Sequence, residues 1–201
     1  LIPTLVRGKQ DVIISDELNH GSIIDGVRLT KASRSVYPHN DIGALESTLS
    51  QNQDAERILI ITDGVFSMDG DIAPLDQITD VAEDYGAMIM VDDCHGEGVL
   101  GDGKGIVAHF GLQGRVDFEL GSYSKAMGVQ GGILAGSELV RRYALNHSRS
   151  WLLSGSQPPG VAASQKAAVE VLMDEPEHVM NLWKNTNYFR TELQSIGFDT
   201  G

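Results

Sequence analysis

The chain has 201 residues, 41% hydrophobic and 21% charged, which suits one ordinary globular domain with a substantial core. A formal net charge of −13 disfavours nucleic acid and anionic membrane surfaces as partners, since neither attracts an acidic protein. The one cysteine, Cys94, excludes an intrachain disulfide and fits a reducing, cytoplasmic compartment, and no apolar run approaches the roughly 20 residues that cross a bilayer.

In chain order the pattern predicts a strand over 11–15, a helix over 22–31, a strand over 33–37 and a helix over 41–51. A strand over 57–62, a helix over 75–85 and a strand over 87–92 follow, then strands over 116–120 and 131–135 and a helix over 137–148. The runs Ile58-Leu59-Ile60-Ile61 and Met88-Ile89-Met90-Val91 are apolar without alternation, as expected of strands covered on both faces. Strands alternating with helices imply an α/β fold with a mostly parallel central sheet flanked by helices. From Pro158 the pattern turns helical, over 161–173 and 176–196, interrupted at Asp174-Glu175-Pro176-Glu177. This divides the chain into a large domain over 1–173 and a segment over 174–201 leading toward an absent smaller domain. The N-terminus, Leu1-Ile2-Pro3-Thr4-Leu5-Val6-Arg7, has no signal-peptide pattern and no initiator Met. With the abrupt end at Asp199-Thr200-Gly201, the chain reads as an internal piece of something longer.

In parallel α/β sheets, ligand sites gather at the carboxyl ends of the strands. Three polar clusters fall there: Thr62-Asp63-Gly64, Asp92-Asp93-Cys94-His95, and Ser122-Tyr123-Ser124-Lys125. Lys125 follows small hydroxyl residues and precedes the glycine-rich Gly128-Val129-Gln130-Gly131-Gly132. An amine so placed can condense with an aldehyde cofactor, while nearby hydroxyls and N–H groups hold its phosphate. A strand-end aspartate such as Asp92 keeps a pyridine nitrogen protonated, which makes the ring an electron sink. Together they match what pyridoxal 5′-phosphate (PLP) asks of a protein. Asp92 alone also reads as a helix cap or an arginine partner.

His95 is placed to orient the ring through its phenolic oxygen or through Asp92, or is simply a solvated loop residue. His20, in Asn19-His20-Gly21-Ser22, offers a flat imidazole to stack on a pyridine ring, or is a polar residue at a helix start. Ser67, in Phe66-Ser67-Met68-Asp69-Gly70-Asp71, can donate to the phenolic oxygen, although Asp69-Gly70 also reads as a plain turn. No metal is expected, because zinc sites collect Cys and His in spaced pairs and here one Cys lies among carboxylates.

With these residues in hand, the chain resembles the α-oxoamine synthases, fold-type I PLP enzymes related to the aspartate aminotransferases. The resemblance rests on five ordered stretches. They begin with 16–26, containing Asn19-His20-Gly21-Ser22, and 63–71, containing Phe66-Ser67-Met68-Asp69-Gly70. Val91-Asp92-Asp93-Cys94-His95-Gly96, Ser122-Tyr123-Ser124-Lys125-Ala126 and Leu153-Ser154-Gly155-Ser156-Gln157-Pro158-Pro159 complete them. It implies that Lys125 forms the Schiff base, that Asp92 binds the pyridinium nitrogen, and that His95 and Ser67 meet the phenolic side. It further implies that His20 stacks on the ring, Ser122 holds the phosphate, and Ser154 reaches the phosphate of a neighbouring subunit in a homodimer. Stretch 19–29 looks most like the glycine C-acetyltransferase branch. The implied activity is condensation of a small amino acid, expected to be glycine, with an acyl-CoA, giving an α-amino ketone or keto acid and free CoA. Another fold-type I enzyme, an aminotransferase or lyase, stays open, as does an inactive cofactor-binding fragment.

Overall fold

The computed structural model describes residues 1–200. Its centre is a six-stranded sheet of β1 (Asp11–Asp16), β2 (Ser33–Tyr37), β3 (Arg57–Asp63), β4 (Met88–Asp92), β5 (Phe118–Ser122) and β6 (Gly132–Gly136). The spatial order is β2-β1-β3-β4-β5-β6, parallel throughout except for the antiparallel β5–β6 pair. The helices are α1 (Ile2–Leu5), α2 (Gly21–Arg28), α3 (Ile42–Gln51), α4 (Leu75–Asp84), α5 (Ile106–His109), α6 (Glu138–His147), α7 (Arg149–Leu152), α8 (Pro159–Asp174) and α9 (Glu177–Ser195).

The apolar runs explain the layering. Successive strand side chains point to opposite faces, so Ile14, Ile58, Ile60, Ile89 and Val91 enter one core with Leu45 and Leu49 of α3 and Leu75 and Ile78 of α4. Ile13, Leu59, Ile61, Met90 and Phe118 enter the other with Ile23 and Val27 of α2. β1 is buried along its whole length, and β3 along all but its first residue. Helix starts are set by side chains: the Asp41 carboxylate accepts the Ala44 N–H at 2.9 Å, and the His20 imidazole accepts the Ser22 N–H at 3.2 Å.

β5 departs from the predicted strand over 116–120. Asp117 spends its Oδ2 as acceptor for the Ile89 N–H at 2.9 Å, and pairing with β4 opens only at Phe118. The strand therefore runs on to Ser122, which belongs to the sheet and not to the loop. The helical tail divides at Glu175-Pro176 as the sequence predicts, and the Trp183 indole donates to the Val99 carbonyl at 2.8 Å, tying α9 to the body. Much of the tail's apolar surface is exposed, including Met173, Met180, Tyr188 and Phe189. Among the described residues no helix is long and apolar enough to cross a membrane.

Ile60 has no solvent exposure and lies at the centre of the larger core. Ile60→Ala is expected to cost about 3 kcal/mol, because the cavity adds to the lost transfer energy; urea denaturation checks this.

Candidate active site

Register brings the polar strand ends together. Asp63 at the end of β3 pairs with Asp92 at the end of β4, and Asp92 with Leu120 of β5. The buried Asn19 secures the neighbouring end: its Nδ2 donates to the Ile61 carbonyl at 2.8 Å and to Ser15 Oγ at 2.9 Å, and its Oδ1 accepts the Asp63 N–H at 2.8 Å. The next residue's N–H, that of His20, donates to Asp63 Oδ2 at 2.8 Å. His20 is thereby fixed as the cap of α2, over the carboxyl ends of β3 and β4.

Lys125 comes three residues after β5 ends, in a loop that closes on itself before β6. The Tyr123 N–H donates to the Gly131 carbonyl at 3.0 Å, the Val129 N–H to the Tyr123 carbonyl at 2.7 Å, and the Gly128 N–H to the Lys125 carbonyl at 3.1 Å. Gly128 and Gly131 have φ of 62° and 124°, the left-handed region that favours glycine and lets the loop turn. Ser122 Oγ and Ser124 Oγ lie 2.6 Å apart on the same rim.

A cavity of about 180 Å³ joins these elements. Six of the seven predicted site residues line it: Lys125, Asp92, His95, Ser67, His20 and Ser122, with Ser22, Asp63 and Cys94. Ser154 lies elsewhere, in the exposed turn after α7, donating to the Trp151 carbonyl at 3.0 Å. A second cavity of about 720 Å³ shares Cys94, His95 and Lys125 with the first and continues between Val99, α8 and α9 with a mainly apolar lining.

A model of the family described as aminotransferase class I and II matches residues 1–201. The chain belongs to the aminotransferase class I and II family. Among curated relatives, 8-amino-7-oxononanoate synthase of Fervidobacterium nodosum is 56% identical over 204 residues, covering 100% of this chain and 52% of that protein. The 8-amino-7-oxononanoate synthase 1 of Bacillus subtilis is 51% identical over 193 residues, covering 96% of this chain and 49% of that protein. Serine palmitoyltransferase from S. paucimobilis, solved with a PLP adduct bound, superposes with a TM-score of 0.93 at 32% identity, covering 98% of this chain and 51% of that one. The chain spans about half the length of the curated relatives it matches. These relatives place it among the α-oxoamine synthases of the family. None of these names mentions glycine.

The residues present fit this family's cofactor. The cavity offers a carboxylate for a ring nitrogen, an imidazole for a ring face, an amine for an aldehyde, and hydroxyls on its rim. The electrostatics suit those parts. Burial, and then the charge of Lys125, pull His95 below the usual histidine range, so its imidazole is neutral. Burial and the neighbouring Asp92 push the Cys94 thiol up to about 12, which keeps it protonated and a poor nucleophile at neutral pH. Among the described residues no group of three His, Cys, Asp or Glu converges as metal ligands would.

Three residues the sequence reading did not single out complete the site. Asp63 was visible as one of the strand-end polar clusters, and burial pushes its carboxyl up to about 6 although the His20 N–H opposes this. Asn19 gives no signal beyond its place beside His20. Asp93 follows Asp92 but turns the other way, into the protein, where its Oδ2 accepts the Ile106 N–H at 2.8 Å and its Oδ1 has no partner. A Cβ at Gly96 or Gly105 would collide with this carboxyl group. It buttresses the loop on which Asp92 and His95 stand.

Burial, reinforced by Glu119, Glu97 and Asp92, pushes Asp93 up to about 8. Its unfolded value is about 3.9, so the folded state holds the proton more tightly. The stability difference favours low pH and is lost progressively as pH rises from about 4 toward 8. The urea midpoint of the wild type is expected to fall across pH 5 to 8. Asp93→Asn, which cannot ionise, is expected to show a shallower fall, and equal slopes would contradict the assignment.

Proposed function

We propose that this chain is the cofactor-bearing part of an α-oxoamine synthase that joins alanine to a seven-carbon dicarboxylic acyl-CoA with loss of carbon dioxide. The observation that carries this reading is the shared cavity of Asp92, His20 and Lys125. The substrates follow from the product named by the relatives. In 8-amino-7-oxononanoate the chain ends in a ketone, an amine-bearing carbon and a methyl group. The last two are alanine less its carboxyl group. The remaining seven carbons, ketone included, form an acyl unit with a carboxylate at its far end.

Bound PLP supplies an electron sink for negative charge at the substrate's Cα. Asp92 would hold the ring nitrogen and keep it protonated, since a carboxylate within contact distance favours the charged form of its partner. His20 would pack on the ring face, held by Asn19, Asp63 and its own cap on α2. Ser67 and His95 would hold the phenolic side, and Ser122 the phosphate. Lys125 would supply the amine that holds the cofactor's aldehyde, and the same amine, when free, would take up the substrate's Cα proton. The exposed loop of Lys125 suits this exchange of partners.

Residues 1–173 form the cofactor-binding domain in this reading, and 174–201 leads toward a second domain. The exposed apolar side chains of α8 and α9 support that division. Ser154, exposed and outside the cavity, would serve the phosphate of a second copy in a homodimer. The single cysteine agrees with a cytoplasmic setting.

Incubating the full-length protein and PLP with alanine and a dicarboxylic acyl-CoA is expected to release CoA and carbon dioxide together. Transamination without CoA release would instead identify an aminotransferase. Lys125→Ala is expected to abolish turnover, by at least about 10³-fold, because both tether and proton acceptor are lost; a CoA-release assay measures this.

A further inference from the structure

Outside the cavity, the imidazole of His39 is bonded at both ring nitrogens. It follows β2 in Pro38-His39-Asn40-Asp41 and touches none of the groups assigned above. Its Nδ1 lies 3.0 Å from Asp16 Oδ1, and its Nε2 hydrogen bonds Asp71 Oδ2. Asp16 also accepts the Leu18 N–H at 2.9 Å and the Asn40 N–H at 3.0 Å. Asp71 Oδ2 also accepts the Asn40 amide N–H at 3.1 Å. The Asn40 amide nitrogen also lies 3.1 Å from Nε2, but two carboxylates, one at each ring nitrogen, favour the form in which both nitrogens donate.

What this imidazole grips is the turn that carries Ser67. The turn opens at Phe66 and closes at Asp71, with the Phe66 N–H donating to the Asp71 carbonyl at 3.0 Å and the Gly70 N–H to the Phe66 carbonyl at 2.8 Å. His39 holds both ends: it bonds the Asp71 carboxylate, and its ring meets the buried Phe66 edge-on, with centroids 4.3 Å apart and planes at 85°. At its back it is anchored through Asp16 to the end of β1, and its own N–H donates to Glu17 Oε1 at 2.9 Å. Ser67 itself is exposed on the cavity wall and makes no contact that would fix it independently.

We infer that His39 is a positioning residue: bridging Asp16 and Asp71, it sets the Phe66–Asp71 turn so that the Ser67 hydroxyl meets the ring of the bound cofactor. The inference rests on the proposed PLP site and adds to it a residue that never touches the cofactor. The titratable groups facing His39 are Asp16 on β1, Glu17 just beyond it, Tyr37 at the end of β2 and Asp71 on the turn. Burial pulls His39 downward, but the hydrogen bonds and charges of Asp16 and Asp71 outweigh it and hold the ring above the usual histidine range.

The test uses the full-length protein with PLP, comparing wild type, His39→Gln, Ser67→Ala and the double variant. The readout is the pH midpoint of the visible absorbance of bound PLP, which responds to donors on the phenolic oxygen. Loss of the Ser67 donor is expected to raise the midpoint by about half a unit or more, the scale of one hydrogen bond. His39→Gln is expected to raise it by a similar amount, and the double variant no further than Ser67→Ala alone. Additive shifts, or an unmoved midpoint in either single variant, would overturn the inference. Should His39→Gln not fold, Asp71→Asn keeps the imidazole and its Asp16 contact and is expected to give the same non-additive pattern with Ser67→Ala. In the cofactor-free protein, nitrogen-15 shifts should show both His39 ring nitrogens protonated at neutral pH, and a single protonated nitrogen would also overturn it. If wild type acquires no visible band with PLP, the proposed function itself fails, an outcome distinct from all of these.

Discussion

The parallel pairing of β3, β4 and β5 is the constraint on which the site depends. Because the three strands run the same way and in this register, their last residues form one row: Asp63, Asp92 and, a step further on β5, Ser122. A register slip of one residue would turn Asp92 into the core and Asp93 out of it. The two aspartates are chemically identical, and only strand alternation gives one the cavity and the other the interior. Covering helices on both faces enforce the choice, since β3 and β4 have no face on which a misplaced charge meets solvent.

Around that row, polar groups are held in layers. Asn19 ties β1 to β3 and presents the His20 N–H to Asp63; Asp93 supports the loop of Asp92 and His95; His39 bridges β1 to the turn of Ser67. Each support is a buried or half-buried polar side chain with its hydrogen bonds largely spent on backbone or on a charged partner. Such bonds fix a single geometry, because leaving any of these groups unpaired costs more than the bond itself contributes. Lys125 is the exception. Its loop is closed by backbone bonds, but the amine is exposed, which suits a group that must release one partner and accept another.

Much of this was legible in the sequence, for reasons that differ by residue. The buried strands announced themselves as unbroken apolar runs, and the polar residues that ended them marked the carboxyl edge of the sheet. Lys125 and Asp92 stood out because their chemistry is rare at such positions. Asn19, Asp93 and His39 did not, because their importance lies in partners far away in the chain: Asn19 bonds 44 residues on, and His39 reaches Asp16 and Asp71 at separations of 23 and 32. The start of β5 was misplaced because Asp117, apparently within a strand, caps the Ile89 N–H instead. The expectation of glycine came from a short local stretch around His20, whose hydrogen bonds run to Asp63 and Ser22 and offer no contact that would read an amino acid side chain.

The central claim is that one amine, that of Lys125, faces the same aldehyde-bearing ring whose nitrogen faces Asp92. Borohydride reduction of the PLP-loaded full-length protein, followed by peptide mass mapping, tests it most directly. The account predicts one pyridoxyl group, on the peptide containing Lys125, with Lys9, Lys31, Lys104, Lys166 and Lys184 unlabelled. A label on any of those lysines in place of Lys125, or spread evenly over all of them, would contradict it.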